Sequence, residues 1–361
     1  MPVQLKEIEE ADINEVVSFH NLTYGEKRTP KQWVWEYKGN HPDSFVFTVI
    51  KDNNGIVGMQ GMIPIYLNIR RKKCLSGKSE NSLLNSKYRG GTLFKDLYDF
   101  AMSLCKSREM CCVWGFTSAV KVWRERLGFF VYEDIMSGST LVLNWRRQIS
   151  PILESKQDIA RKIAKSVFFL LLRFYSSLSS SVYAFLKKKE KQFSAEQKLR
   201  SPGDVVALYE RLRTDYADLV HIEQDKKYID WRVFNNPNVE YATLFAYEHD
   251  LLRAYCYAAL TSNGEAFLSD FTFESHEAGD FVLKTILATL RERKIASVHF
   301  VGNFKNPIIA RVFELLGRHG FVMRKGFSPF VLKNISYEHE EHLRDIRNWY
   351  INGLWTEGYK M

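Results

Sequence analysis

The feature that most constrains this chain is an internal repeat. Trp35-Glu36-Tyr37-Lys38-Gly39-Asn40-His41-Pro42 precedes the alternating run Phe45-Val46-Phe47-Thr48-Val49-Ile50. Trp231-Arg232-Val233-Phe234-Asn235-Asn236-Pro237 precedes Tyr241-Ala242-Thr243-Leu244-Phe245-Ala246 in the same way. Each copy continues through a polar turn, Lys51-Asp52-Asn53-Asn54-Gly55 or Glu248-His249-Asp250, into a second strand-like run. Each ends in a helical stretch broken at Gly-Phe, and the distance from Trp to that Gly is 93 residues in one copy and 89 in the other. Similar spacing of the same signals in the same order implies a duplicated domain, and 361 residues suit two cores better than one.

Hydrophobic periodicity makes each copy mixed α/β. The first copy reads as a helix over 12–21 and a hairpin over 45–69 turned at Asn53-Asn54-Gly55. A strand at 80–84, a helix from 93 to about 108, a strand at 111–116, a helix to 127 and a strand at 131–144 follow. The second reads as strand 266–273, helix 280–293, strand 297–301, helix 307–318 and strand 322–332. The expected organisation is a domain over 1–145, a basic insert over 146–200, a second domain over 201–335 and a tail over 336–361.

Charge location narrows the function classes. The net charge is +9, and residues 146–200 hold 13 Lys and Arg against 4 Asp and Glu. The rest of the chain therefore balances at 38 against 38. A nucleic-acid partner would want cations spread over a folded face with aromatic platforms, and none is expected. The insert includes the apolar-leaning run 166–186, flanked by Arg161, Lys162 and Lys165 and by Lys187, Lys188, Lys189 and Lys191. Arg173 and six serines inside it make spanning a bilayer costly. It reads as a linker helix packed on the two domains, or as an interfacial helix giving peripheral contact with anionic lipid across 161–191. Five cysteines without zinc-site spacing suit a reduced compartment and no metal. The polar, acidic first residues lack an apolar signal core, so a cytoplasmic location is expected.

The segment Asn81-Ser82-Leu83-Leu84-Asn85-Ser86-Lys87-Tyr88-Arg89-Gly90-Gly91-Thr92-Leu93-Phe94 carries the chemistry. A strand, a slim glycine loop and a helix start make an anion site, because amides can approach phosphate oxygens and the helix N-terminus is electropositive. At these residues the chain resembles the GNAT acyltransferase superfamily, whose acetyl-CoA pyrophosphate loop follows Arg/Gln-x-x-Gly-x-Gly/Ala. Arg89 takes the first position, while Thr92 and Phe94 stand where the two later glycines would be. Trp33-Val34-Trp35-Glu36-Tyr37, Ile56-Val57-Gly58-Met59-Gln60 and Leu127-Gly128-Phe129 extend the resemblance. It is to GNAT-type proteins of bacterial polysaccharide clusters, and more distantly to Fem-type transferases.

The resemblance implies a tandem GNAT-like fold of the α/β (α+β mixed sheet) class, using acetyl-CoA as acyl donor. Arg89, Gly90, Gly91 and Thr92 would hold its pyrophosphate, and the main chain of Leu83 and Leu84 would pair with the pantetheine arm. Glu80, on the strand before the loop, is the candidate base; between Ser79 and Leu83 it is expected to be desolvated and poised near neutral pH. The family's usual acid, a Tyr four residues before the Gly of Gly-Phe, is replaced here by Arg124, which leaves water, Tyr88, Tyr98 or Tyr132 to protonate the thiolate. The second copy has no Arg-x-x-Gly loop, and Asp270, Glu274, Glu277 and Asp280 would repel a pyrophosphate. In tandem relatives the acceptor groove lies between the halves, which makes Trp231, Arg232, Asp270 and Asn303 acceptor-side candidates.

The function expected is N-acylation, by direct attack, of an amine on an amino sugar or glycan precursor, either a small molecule or lipid-linked. Fem-type aminoacyl transfer and a non-catalytic tandem binding module are the alternatives. No Gly-x-Ser-x-Gly elbow, Walker loop or His-carboxylate metal pair competes.

Overall fold

The computed structural model describes residues 3–144, 167 and 193–356. The insert 161–191, on which the membrane reading rests, lies outside the described residues apart from Val167. Strands and helices are numbered in chain order. The chain forms two compact units, neither of which is contiguous: Met1–Glu133 with Asp218–Glu223 and Ser328–Asn348, and Asp134–Ala217 with Gln224–Phe327 and Trp349–Met361.

The first unit holds β1 (Gln4–Glu7), α1 (Ile13–Tyr24), α2 (Pro30–Lys38), β2 (Val46–Asp52), β3 (Gly55–Ile69), β4 (Lys72–Leu84), α3 (Leu93–Ser107), β5 (Cys112–Phe116) and β6 (Phe130–Tyr132). From later in the chain it takes β9 (Val220–Ile222), β15 (Phe330–Asn334) and α8 (Glu340–Arg344). The sheet runs β1-β2-β3-β4-β5-β15-β6, with β9 paired to the far end of β3. All neighbours are antiparallel except β4 and β5, so the sheet is mixed.

Local chemistry fixes these elements. Thr29 and Gln32 form a capping box at the start of α2, with Pro30 at its first position. The β2–β3 turn needs Gly55, whose φ is +123° and whose missing Cβ leaves room for the Glu15 carboxylate. That carboxylate accepts from Ile56 N–H at 2.7 Å. α3 turns Leu97, Tyr98, Ala101 and Cys105 onto the sheet, burial that contributes roughly 1.5–3 kcal/mol for a side chain of leucine size. Asp12 ties β1 and β2 to α1 by accepting from Lys6 at 2.9 Å and Lys51 at 2.8 Å. Burial alone would raise its pKa, but these bonds and the Glu9 amide outweigh it and hold Asp12 at about 2.

The second unit holds β7 (Met136–Val142), β8 (Ser194–Glu196), α4 (Gly203–Leu212), α5 (Lys226–Ile229), β10 (Glu240–Glu248), β11 (Leu251–Leu260), β12 (Glu265–Phe273), α6 (His276–Glu292), β13 (Ser297–Asn303), α7 (Pro307–Arg318), β14 (Val322–Lys325) and α9 (Gly353–Thr356). Its sheet runs β14-β7-β13-β12-β11-β10-β8, again with one parallel pair, β12 and β13. The repeat extends to detail: β3–β4 is bulged between Met59 and Gly61, and β11–β12 between Tyr257 and Ala258.

Three expected elements differ. The runs 131–144 and 322–332 are not single strands; each divides, giving one strand to each sheet, so β7 joins the second sheet and β15 the first. Asp134 at φ +54° and Gly326 at φ +100° turn the chain at the divisions, and Pro329 supplies no ladder N–H. The helix expected to end at 127 is a single π turn, Val122–Arg126, in which Leu127 N–H reaches Val122 O at 3.2 Å.

Candidate active site

β4 and β5 are registered only at Gly77–Val113 and Lys78–Trp114. Beyond Lys78 the strands part, while β4 stays paired to β3 through Leu84. Among the described residues the edge of β4 that faces β5 therefore has no registered strand partner from Ser79 to Leu84. Its main-chain groups, apart from the Glu80 and Leu84 carbonyls that accept from Gln60 and Arg89, are open to an extended ligand. The bulge lies within this stretch: Asn81 and Ser82 oppose Gln60 alone, and Asn81 takes φ +55°. Gln60 is fully buried there, donating to Gly61 O at 2.7 Å and Ser79 Oγ at 3.1 Å, and accepting from the Ser82 hydroxyl.

A cavity of about 690 Å³ fills the gap. One wall is Ser79–Leu84, the floor is Arg89, Gly90, Gly91 and Phe94, and the far wall is Phe116–Ala119 with Val122, Trp123 and Arg126. Gly90 has φ +97°, a conformation reserved for glycine, and a Cβ at Gly90 or Gly91 would meet nothing within 4 Å. Arg89 donates from Nε to Leu84 O at 3.0 Å, closing the strand end against the loop. The first amides of α3 follow, without helical carbonyls to bond. Phe94, at a position where the resembling family has glycine, is partly buried against the cores under α3.

The polar groups of the cavity fall into two sets. Glu80 is about one-third exposed and pairs with the buried Lys78 ammonium at 2.6 Å. It is thus held by an adjacent cation, not isolated in an apolar pocket as its sequence neighbours suggested. Tyr24, half-exposed, stands on the same side, its pKa raised by partial burial and then by the Glu80 charge. On the other side Ser79 Oγ lies 2.7 Å from the Tyr98 hydroxyl. Tyr98 is buried, which pushes its pKa well up and keeps it protonated. Gln60 donates to Ser79 Oγ, and Ser79 and Tyr98 share one further hydrogen bond, which places a pair of linked hydroxyls beside the cavity wall. The other two tyrosines are committed elsewhere, Tyr88 to Asp52 at 2.5 Å and Tyr132 to Arg344 O at 2.9 Å. Arg124 pairs with Glu133 at 2.5 Å. Among the described residues no group of His, Cys, Asp and Glu is arranged to hold a metal ion.

No family model matches the sequence, and no curated protein matches it. Solved structures do. A tandem GNAT protein from the clavulanic acid biosynthesis pathway aligns over 93% of this chain and 99% of its own, with TM-score 0.54 and 11% identity. This chain has the tandem GNAT fold. An Enterococcus faecalis protein described as a probable N-acyltransferase aligns with TM-score 0.62 and 8% identity over 93% of this chain and 73% of its own. Saccharomyces cerevisiae N-myristoyltransferase with bound myristoyl-CoA aligns with TM-score 0.54 and 12% identity over 92% and 81%.

Within this tandem GNAT fold the first unit brings together six of the sequence-chosen residues: Glu80, Leu83, Leu84, Arg89, Gly90 and Gly91 all line the one cavity. Thr92 sits at the helix start and donates its hydroxyl to Asp96 at 2.8 Å. Trp231, Arg232, Asp270 and Asn303 belong to the second unit and are buried. Trp231 and Arg232 lie on the π turn Asp230–Phe234, the guanidinium 5.6 Å from the indole. Asp270 accepts from Gln224 at 2.5 Å, Tyr255 at 2.8 Å, Thr272 at 2.9 Å and Tyr350 at 3.2 Å. Asn303 donates to Trp349 O at 2.9 Å. These contacts occupy side chains that the sequence suggested for an acceptor. Sequence reasoning missed Lys78, Ser79 and Tyr24. Lys78 was legible, since residues two apart on a strand share a face; Ser79 and Tyr24 carried no signal.

Proposed function

We propose that the first unit is an acyl-CoA-dependent N-acyltransferase, with acetyl as the acyl group and an amine of an amino sugar or glycan precursor as the acceptor. The observation that carries this reading is one cavity that unites a slim glycine loop, a strand edge with no registered partner among the described residues, and a carboxylate. The fit is chemical. Gly90, Gly91 and the first amides of α3, with the Arg89 guanidinium, suit a pyrophosphate. The unregistered edge of Ser79–Leu84 suits the amides of a pantetheine arm, and it borders the cavity of about 690 Å³. When bound, the acyl-CoA supplies the thioester carbonyl that an amine attacks.

This chain's own residues do the rest. Glu80 takes the proton from the incoming ammonium, directly or through one water, and Lys78 fixes the carboxylate from behind. Main-chain amides at the β4 bulge would be the donors for the oxygen on which charge develops. Ser79, which accepts from Gln60 and shares a hydrogen bond with Tyr98, is the hydroxyl on the cavity wall offered to the departing sulfur. Acetyl rests on the sequence resemblance, since a neighbour of the same fold was solved with myristoyl-CoA. The basic segment 161–191 extends the proposal to a peripheral contact with anionic lipid, suited to a lipid-linked acceptor. Incubation with acetyl-CoA and a set of amino-sugar nucleotides, followed by mass spectrometry, tests the reading: an acetylated sugar nucleotide formed only with active protein supports it. Absence of any acylated amine across the set, with CoA bound, would redirect the acceptor class.

A further inference from the structure

The second unit repeats the architecture that makes the cavity in the first. β12 and β13 pair in parallel from Glu265–Ser297 to Leu268–Phe300 and then part, as β4 and β5 do, next to a bulge on the neighbouring ladder. The sequence suggests that acidic side chains close this copy to a nucleotide cofactor. The structure adds a second, steric feature at this end. Glu274 is neutralised by Arg211 and Arg253, each at 2.9 Å, and Asp280 is met by Lys284 at 3.1 Å and His319 at 2.6 Å. Two of the four carboxylates thus face basic side chains, while Asp270 accepts from the neutral Gln224, Tyr255, Thr272 and Tyr350.

What fills the gap is chain. Asn303 N–H donates to Ile351 O at 2.9 Å, Gly302 bridges to Asn352, and Asn303 Nδ2 holds Trp349 O. On the β12 side the Tyr350 hydroxyl lies 2.6 Å from Thr272 Oγ1 and donates to Phe271 O and Asp270 at 3.2 Å. Two glycines let the backbones close up. A Cβ on Gly353 would fall 2.8 Å from Ser269 Cα, and one on Gly302 would fall 3.2 Å from Ile351 O. Trp349, Tyr350, Ile351, Leu354 and Trp355 are all buried. The segment thus bonds to both diverging strands, through its own main chain on the β13 side and through the Tyr350 hydroxyl on the β12 side.

We propose that residues 349–356 are the resident occupant of the second unit's strand gap, a peptide ligand supplied by the chain itself, so that this gap is closed to acyl-CoA and the protein takes one cofactor, in the first unit. The cofactor half of this statement rests on the proposed function; the occupancy half does not.

Hydrogen-exchange mass spectrometry on the full chain, with and without CoA, tests both. In the wild type, peptides covering 297–303 and 349–356 exchange slowly, and CoA slows exchange only over 79–94 and 116–126. Gly353→Leu has no room against Ser269 and is expected to speed exchange of 297–303 and 349–356 at least tenfold while α3 is unchanged. Should Gly353→Leu unfold the whole unit, as fast exchange of α6 would show, Tyr350→Phe replaces it, with a three- to tenfold acceleration expected in the same two peptides. CoA that slows 297–303, or frees 349–356, overturns the proposal. So does wild-type exchange of both peptides in whichever variant is read. CoA that slows nothing anywhere refutes the acyl-CoA reading instead, and the variants still decide occupancy.

Discussion

Replacing Gly91 by aspartate probes the loop with little collateral damage. Gly91 is not among the glycines held at positive φ, and a Cβ there meets nothing within 4 Å, so the variant is expected to fold like the wild type. Gly90 is a worse site for the same test, because its φ of +97° strains any L side chain. An aspartate at 91 would stand on the exposed floor of the cavity, just ahead of the α3 amides. Two unit charges about 5 Å apart in water-like surroundings repel by roughly 0.8 kcal/mol. The two charges of a pyrophosphate then give about 1.6 kcal/mol, or roughly a fifteen-fold loss of CoA affinity. Gly91→Asn has nearly the same shape without the charge and should stay within about twofold of wild type by that reasoning. Calorimetric titration with CoA reads both variants at low salt and at about 0.5 M NaCl, where a Debye length of about 4 Å should shrink the gap between them. Equal CoA affinity in folded Asp and Asn variants would refute a pyrophosphate at this loop.

Three further outcomes are expected. Glu80→Gln should keep CoA affinity and lower turnover about 10²-fold, with part of the rate returning at high pH where the amine is already deprotonated; steady-state rates across pH check this, and wild-type turnover at every pH would leave Glu80 a partner of Lys78 only. Asp12→Asn should cost about 2 kcal/mol at pH 7, as expected from a carboxyl lowered from 3.8 to about 2. The folded-state value lies below the unfolded one, so this stabilisation is full above about pH 5 and is lost as pH falls toward 2; denaturant melts of both proteins should converge there. Replacing Lys187, Lys188 and Lys189 by Gln should weaken binding to anionic vesicles by about two decades at low salt, at roughly 1 kcal/mol per cation; wild-type protein left in the supernatant would remove the membrane contact.

Much of the fold was legible because it is local. The repeat and the hairpin turned before Gly55 are written in spacing and glycine chemistry, and the loop at Arg89-Gly90-Gly91 falls between a strand and a helix as its residues imply. The exchange of β7 and β15 between sheets was not legible, because a strand's period says which residues share a face but not which sheet receives them. The breaks at Asp134 and Gly326 were the only hint. The candidate site divides the same way. Six of its lining residues could be read from one contiguous segment, whereas Ser79 acquires its role from Tyr98 and Gln60 on other elements. Asp270 and Asn303 show the reverse: polar residues in a suggestive place, whose partners, Gln224, Tyr255, Thr272 and Tyr350 for one and Trp349 for the other, are spread along the chain without a recognisable motif.

A crystal structure of the full chain soaked with CoA tests the central claim most directly. The account predicts one CoA per chain, its pyrophosphate on the Gly90 and Gly91 amides, its pantetheine along Ser79–Leu84 between β4 and β5, and its sulfur within hydrogen-bond reach of the Ser79 hydroxyl. CoA bound between β12 and β13, or outside the cavity lined by Glu80 and Arg89, would contradict it.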